Sequence, residues 1–109
     1  MASVIEVTQD VIYELSGEKV TIPADSIVQS LSELVEAPRF KGDGETYATL
    51  FTGTTQAGPV VWRVTADYGF TTPSIDAVEL VECPEGIEII QNLAVEIVQV
   101  EYEYEDDEC

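Results

Sequence analysis

Histidine is absent from the 109 residues, and lysine and arginine together number only four: Lys19, Arg39, Lys41 and Arg63. Without histidine there is no Ser-His or Cys-His pair to activate a nucleophile. Neither Cys83 nor Cys109 has an evident base or positive neighbour to lower its thiol pKa. Two cysteines, one of them the final residue, do not make a disulfide framework. Both are read as reduced, with Cys83 expected to serve as a small apolar filler. No phosphate loop of the G-x-x-x-x-G-K type is present, and the two glycines of FKGDGE (residues 40–45) mark a turn rather than a nucleotide fingerprint. The opening MASVIEVTQD lacks the basic n-region and apolar run of a signal peptide, and no stretch approaches the ~18 apolar residues of a membrane span. These absences predict a non-enzymatic protein without cofactor or metal, kept in a cytoplasm.

What is abundant is acid. Aspartate and glutamate number 22, and the formal charge of -18 far exceeds the magnitude of about 2–8 that suits the surface of a small domain. Such a charge repels nucleic acid and anionic lipid headgroups, so no direct binding to either is expected. The residues AVILMFWYC nevertheless make up 45% of the chain, enough for the core of one domain. A single domain over residues 1–105 is expected, followed by a disordered acidic end at 106–109.

The pattern along the chain predicts an α+β fold, a mostly antiparallel β-sheet with one α-helix packed on a face. Residues 4–7 and 11–15 are rich in β-branched side chains, and the Gly17-containing link predicts a hairpin between 11–15 and 19–22. Apolar residues at 27, 28, 31, 34 and 35 have helical spacing. Ser26 and Gln29 form a capping-box pattern, Asp25 is the rival N-cap, and Pro38 ends the segment near Ala37. Residues 46–52 and 59–66 read as an antiparallel pair, with Trp62 in the core and Arg63 on the opposite side. Residues 76–83 and 87–91, joined by Pro84-Glu85-Gly86, read as a second hairpin, and 94–104 as a long last strand.

The acid is unevenly placed. Residues 1–75 carry 10 acidic and 4 basic side chains, a net of -6, whereas residues 76–109 carry 12 acidic and none basic, a net of -12. Glu79, Glu82, Glu85 and Glu88 fall in the expected hairpin, and Glu96, Glu101, Glu103 and Glu105 in the expected last strand. Strand alternation puts Gln99, Glu101, Glu103 and Glu105 on one face and Val98, Val100, Tyr102 and Tyr104 on the other, apolar one. Carboxylates on such a strand repeat about every 6.8 Å, a fixed row of negative charge qualitatively like a run of phosphates. The ordinary alternative is the solvated face or charged edge of a sheet. The run Glu105-Asp106-Asp107-Glu108 lacks the alternating ligands and central glycine of an EF-hand, which leaves only weak, nonspecific cation binding there.

An acid-rich single domain with no histidine, an apolar core and a carboxylate row resembles the phage-encoded DNA-mimic inhibitors of the anti-CRISPR and anti-restriction type. One segment is locally similar to the phage inhibitors of uracil-DNA glycosylase: KVTIPADSIVQSLSELVE (residues 19–36) reads strand, Asp25-Ser26-Ile27, helix. The resemblance implies that Asp25 and Ser26 face the DNA-binding groove of a target. It implies a basic nucleic-acid-binding host protein as partner, blocked by DNA mimicry in the host cell cytoplasm. Glu79, Glu82, Glu88, Glu96, Glu101, Glu103 and Glu105 are the expected partner-binding residues. The alternative is a virion structural protein or a bacterial immunity protein against a basic toxin. A homodimer is compatible with either, through edge pairing of the last strand that buries Tyr102 and Tyr104.

Overall fold

In the computed structural model, which describes residues 2–36, 45–68 and 73–100, ten strands form an antiparallel all-β fold. They are β1 (Ala2–Val7), β2 (Val11–Leu15), β3 (Glu18–Ile22), β4 (Val28–Gln29), β5 (Glu33–Glu36), β6 (Glu45–Thr55), β7 (Gly58–Tyr68), β8 (Ser74–Glu82), β9 (Ile87–Gln91) and β10 (Val95–Val100). The longest ladder is the β6–β7 hairpin, in which all eleven residues of one strand pair with the other, from Glu45 opposite Tyr68 to Thr55 opposite Gly58. The expected 46–52/59–66 pairing is therefore present and extends further. Its turn is closed by Thr55, whose Oγ1 donates to the Gly58 carbonyl and accepts from the Ala57 N–H at 3.1 Å. The β2–β3 hairpin is also as expected. Ser16 (φ 54°) and Gly17 (φ 82°) both take positive φ, the pair of conformations that a two-residue turn needs to match strand twist.

Strands β4 and β5 both pair with β6, and β6, β7 and β8 follow in order to complete a five-stranded layer. The second layer is a bent ribbon. Its β1–β10 ladder passes into β2–β9, and β3 adds to the edge of β2. At the bend, the Thr8 N–H donates to the Ala94 carbonyl at 2.8 Å, and the Gln91 side chain donates to the Asp10 carbonyl at 2.8 Å. Alternation then decides the core. Val60, Trp62, Val64 and Ala66 of β7 are buried while Val61, Arg63, Thr65 and Asp67 are half-buried on the other side. In the ribbon the inward set is Ile5, Val7, Val11, Tyr13 and Leu15 facing Ile87, Ile89, Leu93, Val95 and Ile97. Trp62 is fully buried at the centre, and its Nε1 donates to Asn92 Oδ1 at 2.8 Å. A Cβ at Gly53 would lie 3.2 Å from Ile22 Cδ1 and 3.5 Å from the Trp62 ring, so the close approach of these two side chains uses the space a larger residue would fill.

The expected packed helix does not form, and the fold is not α+β. Ala24–Ser26 make one 3-10 turn, and the rest of the segment lies as β4 and β5 along the edge of β6. A helix here would have to bury its apolar stripe. Instead Val28, Leu31, Leu34 and Val35 are exposed, Leu31 at 90%. The inner face of the five-stranded layer is already covered by the ribbon. The edge of β6, in contrast, offers unpaired backbone groups, and Ser30 takes them. Its N–H donates to the Leu50 carbonyl at 2.8 Å and its Oγ accepts from the Leu50 N–H at 3.0 Å. Ser32 Oγ bonds Thr49 Oγ1 at 2.7 Å. Serines that bond the backbone in extended chain compete with helix, and here they prevail. Ser26 Oγ donates to the Pro23 carbonyl rather than capping an N–H. The local strand–helix likeness to the glycosylase inhibitors thus loses its helix.

Two smaller expectations are also corrected. Residues 76–83 and 87–91 are not a hairpin: β8 pairs with β7 and β9 with β2, so the chain crosses between layers at residues 83–86, with Gly86 at φ 88°. Cys83 is exposed in that crossover and fills no core space. Cys109 and the expected disordered end at 106–109 lie outside the described residues.

Near the open end of the β6–β7 ladder, Tyr47 and Tyr68 pack edge to face with ring centroids 5.6 Å apart. The Tyr47 hydroxyl donates to Glu45 Oε1 at 3.0 Å, and this hydrogen bond, with the negative charge that accepts it, raises the Tyr47 pKa above its ordinary value. Burial raises that of Tyr68. A folded-state pKa above the unfolded one contributes stability that is complete below the unfolded value and is lost as the pH rises through the folded value. In an alkaline spectrophotometric titration, Glu45→Gln is therefore expected to bring one phenol back toward the ordinary tyrosine range. An unchanged titration would mean that Glu45 does not hold the Tyr47 proton.

Candidate carboxylate surface

The expected partner-binding residues separate into two groups on opposite outer faces. Glu79 and Glu82 are exposed on β8, where Glu79 stands opposite Arg63 and Glu82 opposite Val61 on the outer side of the five-stranded layer. Glu88 and Glu96 are exposed on the ribbon, at β9 and β10. Glu101, Glu103 and Glu105, as well as Asp106, Asp107 and Glu108, lie outside the described residues, as do Tyr102 and Tyr104. Within β10, Val95 and Ile97 pack against the core, so Glu96 shares the outer face with Val98. The expectation that Val98 belongs to the core-facing set is reversed.

Pairing adds two residues that the reading of the C-terminal third did not include. Glu96 lies directly opposite Glu6, and Glu88 directly opposite Glu14. Directly opposed residues of an antiparallel pair share a face, with Cβ atoms about 4.5–5.5 Å apart, and like charges there are destabilising. Only the Glu14/Glu88 pair has a cation in line, since Lys19 is opposite Glu14 on its other side. Glu6, Glu88 and Glu96 are exposed and Glu14 is half-buried. The signal that points to these pairs is the run of apolar residues at odd positions 5, 7, 11, 13 and 15 and at 87, 89, 93, 95 and 97, broken in each segment by one glutamine, Gln9 and Gln91, which fits two segments zipped against one another around one core face.

Neighbouring acids have different situations. Asp10 Oδ1 accepts the Ala24 N–H at 2.8 Å and so fastens the 3-10 turn to the ribbon. Asp25 lines a shallow hollow together with Glu6, Ile27 and Gln29, which places it beside the Glu6/Glu96 pair. Among the described residues no group of three or more His, Cys, Asp or Glu is gathered to hold a metal ion, and no helix is long and apolar enough to cross a membrane. No family model matches the chain, and neither the curated proteins nor the solved structures yield a significant match to it.

Proposed function

We propose that the protein is a non-enzymatic acidic inhibitor that occupies the nucleic-acid-binding channel of a basic host defence protein, in the host cytoplasm, by presenting carboxylates in place of phosphates. The observation that carries this reading is the opposed pairs Glu6/Glu96 and Glu14/Glu88 on the outer face of a hydrogen-bonded ribbon. In the free protein such pairs repel, and a surface of Lys and Arg laid over them turns that repulsion into attraction. The ribbon keeps the charges in place, so little side-chain and backbone ordering is left to be done on binding. Asp25 extends the surface at one end. Glu101, Glu103 and Glu105 enter the proposal through the sequence alone, and Glu79 and Glu82 form a separate acidic area on the other layer.

The mechanism is competition, steric and electrostatic, with fast association that weakens as salt is added. The test begins with a basic nucleic-acid-binding protein captured from host lysate and eluted by salt. That protein is then titrated with duplex DNA and with single-stranded RNA, in the presence and absence of the inhibitor, at two ionic strengths. Mutually exclusive binding whose affinity falls with salt supports the reading. Simultaneous binding of inhibitor and nucleic acid, or inhibition indifferent to salt, rejects it.

A further inference from the structure

The face of the five-stranded layer turned away from the ribbon differs from the rest of this surface. Leu31 is 90% exposed, Val28 66%, Val35 47% and Leu50 44%. Leu31, Val35 and Leu50 line one hollow with Ser30, Glu33, Ala48 and Arg63. Val28 adjoins this hollow through Thr52, its partner on β6, two residues along from Leu50. Isolated exposed leucines are ordinary, but this is a contiguous strip along an edge, where β4 and β5 are paired with β6 on one side. An edge bearing apolar side chains is a template for another chain.

We propose that this strip is where a second copy of the chain docks, forming a two-fold dimer in which Glu33 of one copy faces Arg63 of the other. Charge is the first argument for that occupant. In a chain of net charge -18 the residues lining the hollow carry one acid and one base, Glu33 and Arg63, and are neutral together. Two copies can meet over this hollow with Glu33 and Arg63 as its only charges, while Glu79 and Glu82 stand on β8, at the far edge of the same face. Arg63 is also one of only two basic residues among those described, and it lies beside the strip, opposite Leu50 on β7's neighbour β6. A two-fold axis makes each contact occur twice with the roles exchanged, so a face holding one acid and one base on either side of an apolar centre is complementary to itself. A basic partner of another kind would meet Arg63 as a like charge, and an acidic one would meet Glu33.

Area is the second argument. The four exposed side chains present on the order of 400 Å² in each copy, at the size of a functional patch. Two such patches with the polar share usual at interfaces bury roughly 1,200 Å² in total, the lower end of the range for specific association. The dimer is therefore expected to be reversible in the micromolar range rather than permanent. The ribbon carboxylates lie on the other layer and stay free, whereas Glu79 and Glu82 share this face, so the dimer is tested separately from inhibition through the ribbon.

Sedimentation velocity on the intact chain, over a concentration series at low and moderate salt, reads the outcome. A monomer–dimer equilibrium is expected, and moderate salt is expected to strengthen it, because screening relieves the repulsion between two strongly negative bodies. Leu31→Glu and, separately, Val28→Glu are expected to raise the dissociation constant by about a hundredfold or more, since each change places two new charges in the buried centre. Both side chains are exposed, so thermal unfolding measured alongside should be unchanged. Arg63→Glu is expected to weaken the dimer, and Arg63→Glu combined with Glu33→Arg to restore it. A wild-type chain that stays monomeric at all concentrations, or a dimer indifferent to both Leu31→Glu and Val28→Glu, overturns the proposal. A charge-swapped double variant no better than Arg63→Glu alone overturns the Glu33–Arg63 pairing on which the two-fold geometry rests.

Discussion

Trp62→Ala is expected to lower the unfolding free energy by about 3–5 kcal/mol, the cost usual for removing a buried aromatic side chain. Trp62 has no exposed surface, its ring lies beside Gly53 of the neighbouring strand β6 where Ile22 of the ribbon also approaches, and its indole N–H reaches Asn92 of the ribbon. Small domains have about 5–15 kcal/mol of stability in total, so this one change removes a large fraction of it. The indole N–H makes a separate contribution. Asn92 Oδ1 accepts from Trp62 Nε1 at 2.8 Å and from the Leu93 N–H at 2.7 Å, so one side chain satisfies two donors at the bend between β9 and β10. Asn92→Ala strands both and is expected to cost about 1–3 kcal/mol. Urea denaturation followed by circular dichroism measures both variants. A Trp62→Ala midpoint within the shift of an ordinary surface substitution would mean that the two layers are not held by this residue.

The parts of this fold legible in the sequence are those fixed by neighbours along the chain. The β2–β3 and β6–β7 hairpins follow from short turns flanked by β-branched runs, and alternation along VVWRV correctly puts Trp62 in the core and Arg63 outside. The parts that failed depend on distant partners. Apolar residues at 27, 28, 31, 34 and 35 fit a helical stripe, but a stripe needs a free apolar face to cover, and the ribbon already covers the one this protein has. The Pro84-Glu85-Gly86 link suits a hairpin or a crossover equally well. What decides is that β8 finds β7 and β9 finds β2, a choice absent from the link itself.

The charged surface was partly legible for the same reason. Counting acid along the chain isolates residues 76–109, yet closeness in sequence is not closeness in space. β8 belongs to one layer and β9 and β10 to the other, so Glu79 and Glu82 part from Glu88 and Glu96. The partners gained in exchange come from the other end of the chain, because β1 and β2 supply Glu6 and Glu14. A strand rich in acid on its outer face would normally be matched with lysine or arginine across the ladder. Among the described residues of the ribbon only Lys19 plays that part, opposite Glu14, and the Glu6/Glu96 pair has no such counterpart in its ladder, whereas Glu79 on the other layer has Arg63.

Replacing Glu6, Glu14, Glu88 and Glu96 together by glutamine is expected to stabilise the free protein while weakening its hold on a basic partner. The change is nearly isosteric and on the outer face, so the core is untouched. Relief of two opposed like-charge pairs should raise the unfolding free energy by on the order of 0.5–1 kcal/mol at low salt, a gain that shrinks as salt screens the pairs in the original chain. Binding should move the other way. Exposed charge contacts are worth about 0–1 kcal/mol each, so four of them together come to about 2 kcal/mol, or roughly thirtyfold in affinity, mostly through slower association. Any one substitution alone should be hard to detect. The two trends are measured on the same variant, by thermal unfolding at two ionic strengths and by the nucleic-acid competition titration. Opposite signs are what the proposed function requires, since a row of carboxylates kept for recognition costs stability that recognition alone recovers. A variant that is stabilised yet inhibits as well as the original would assign these four glutamates to the solvated face of an ordinary sheet and move the search for the contact surface to Glu79, Glu82 and the segment after Val100.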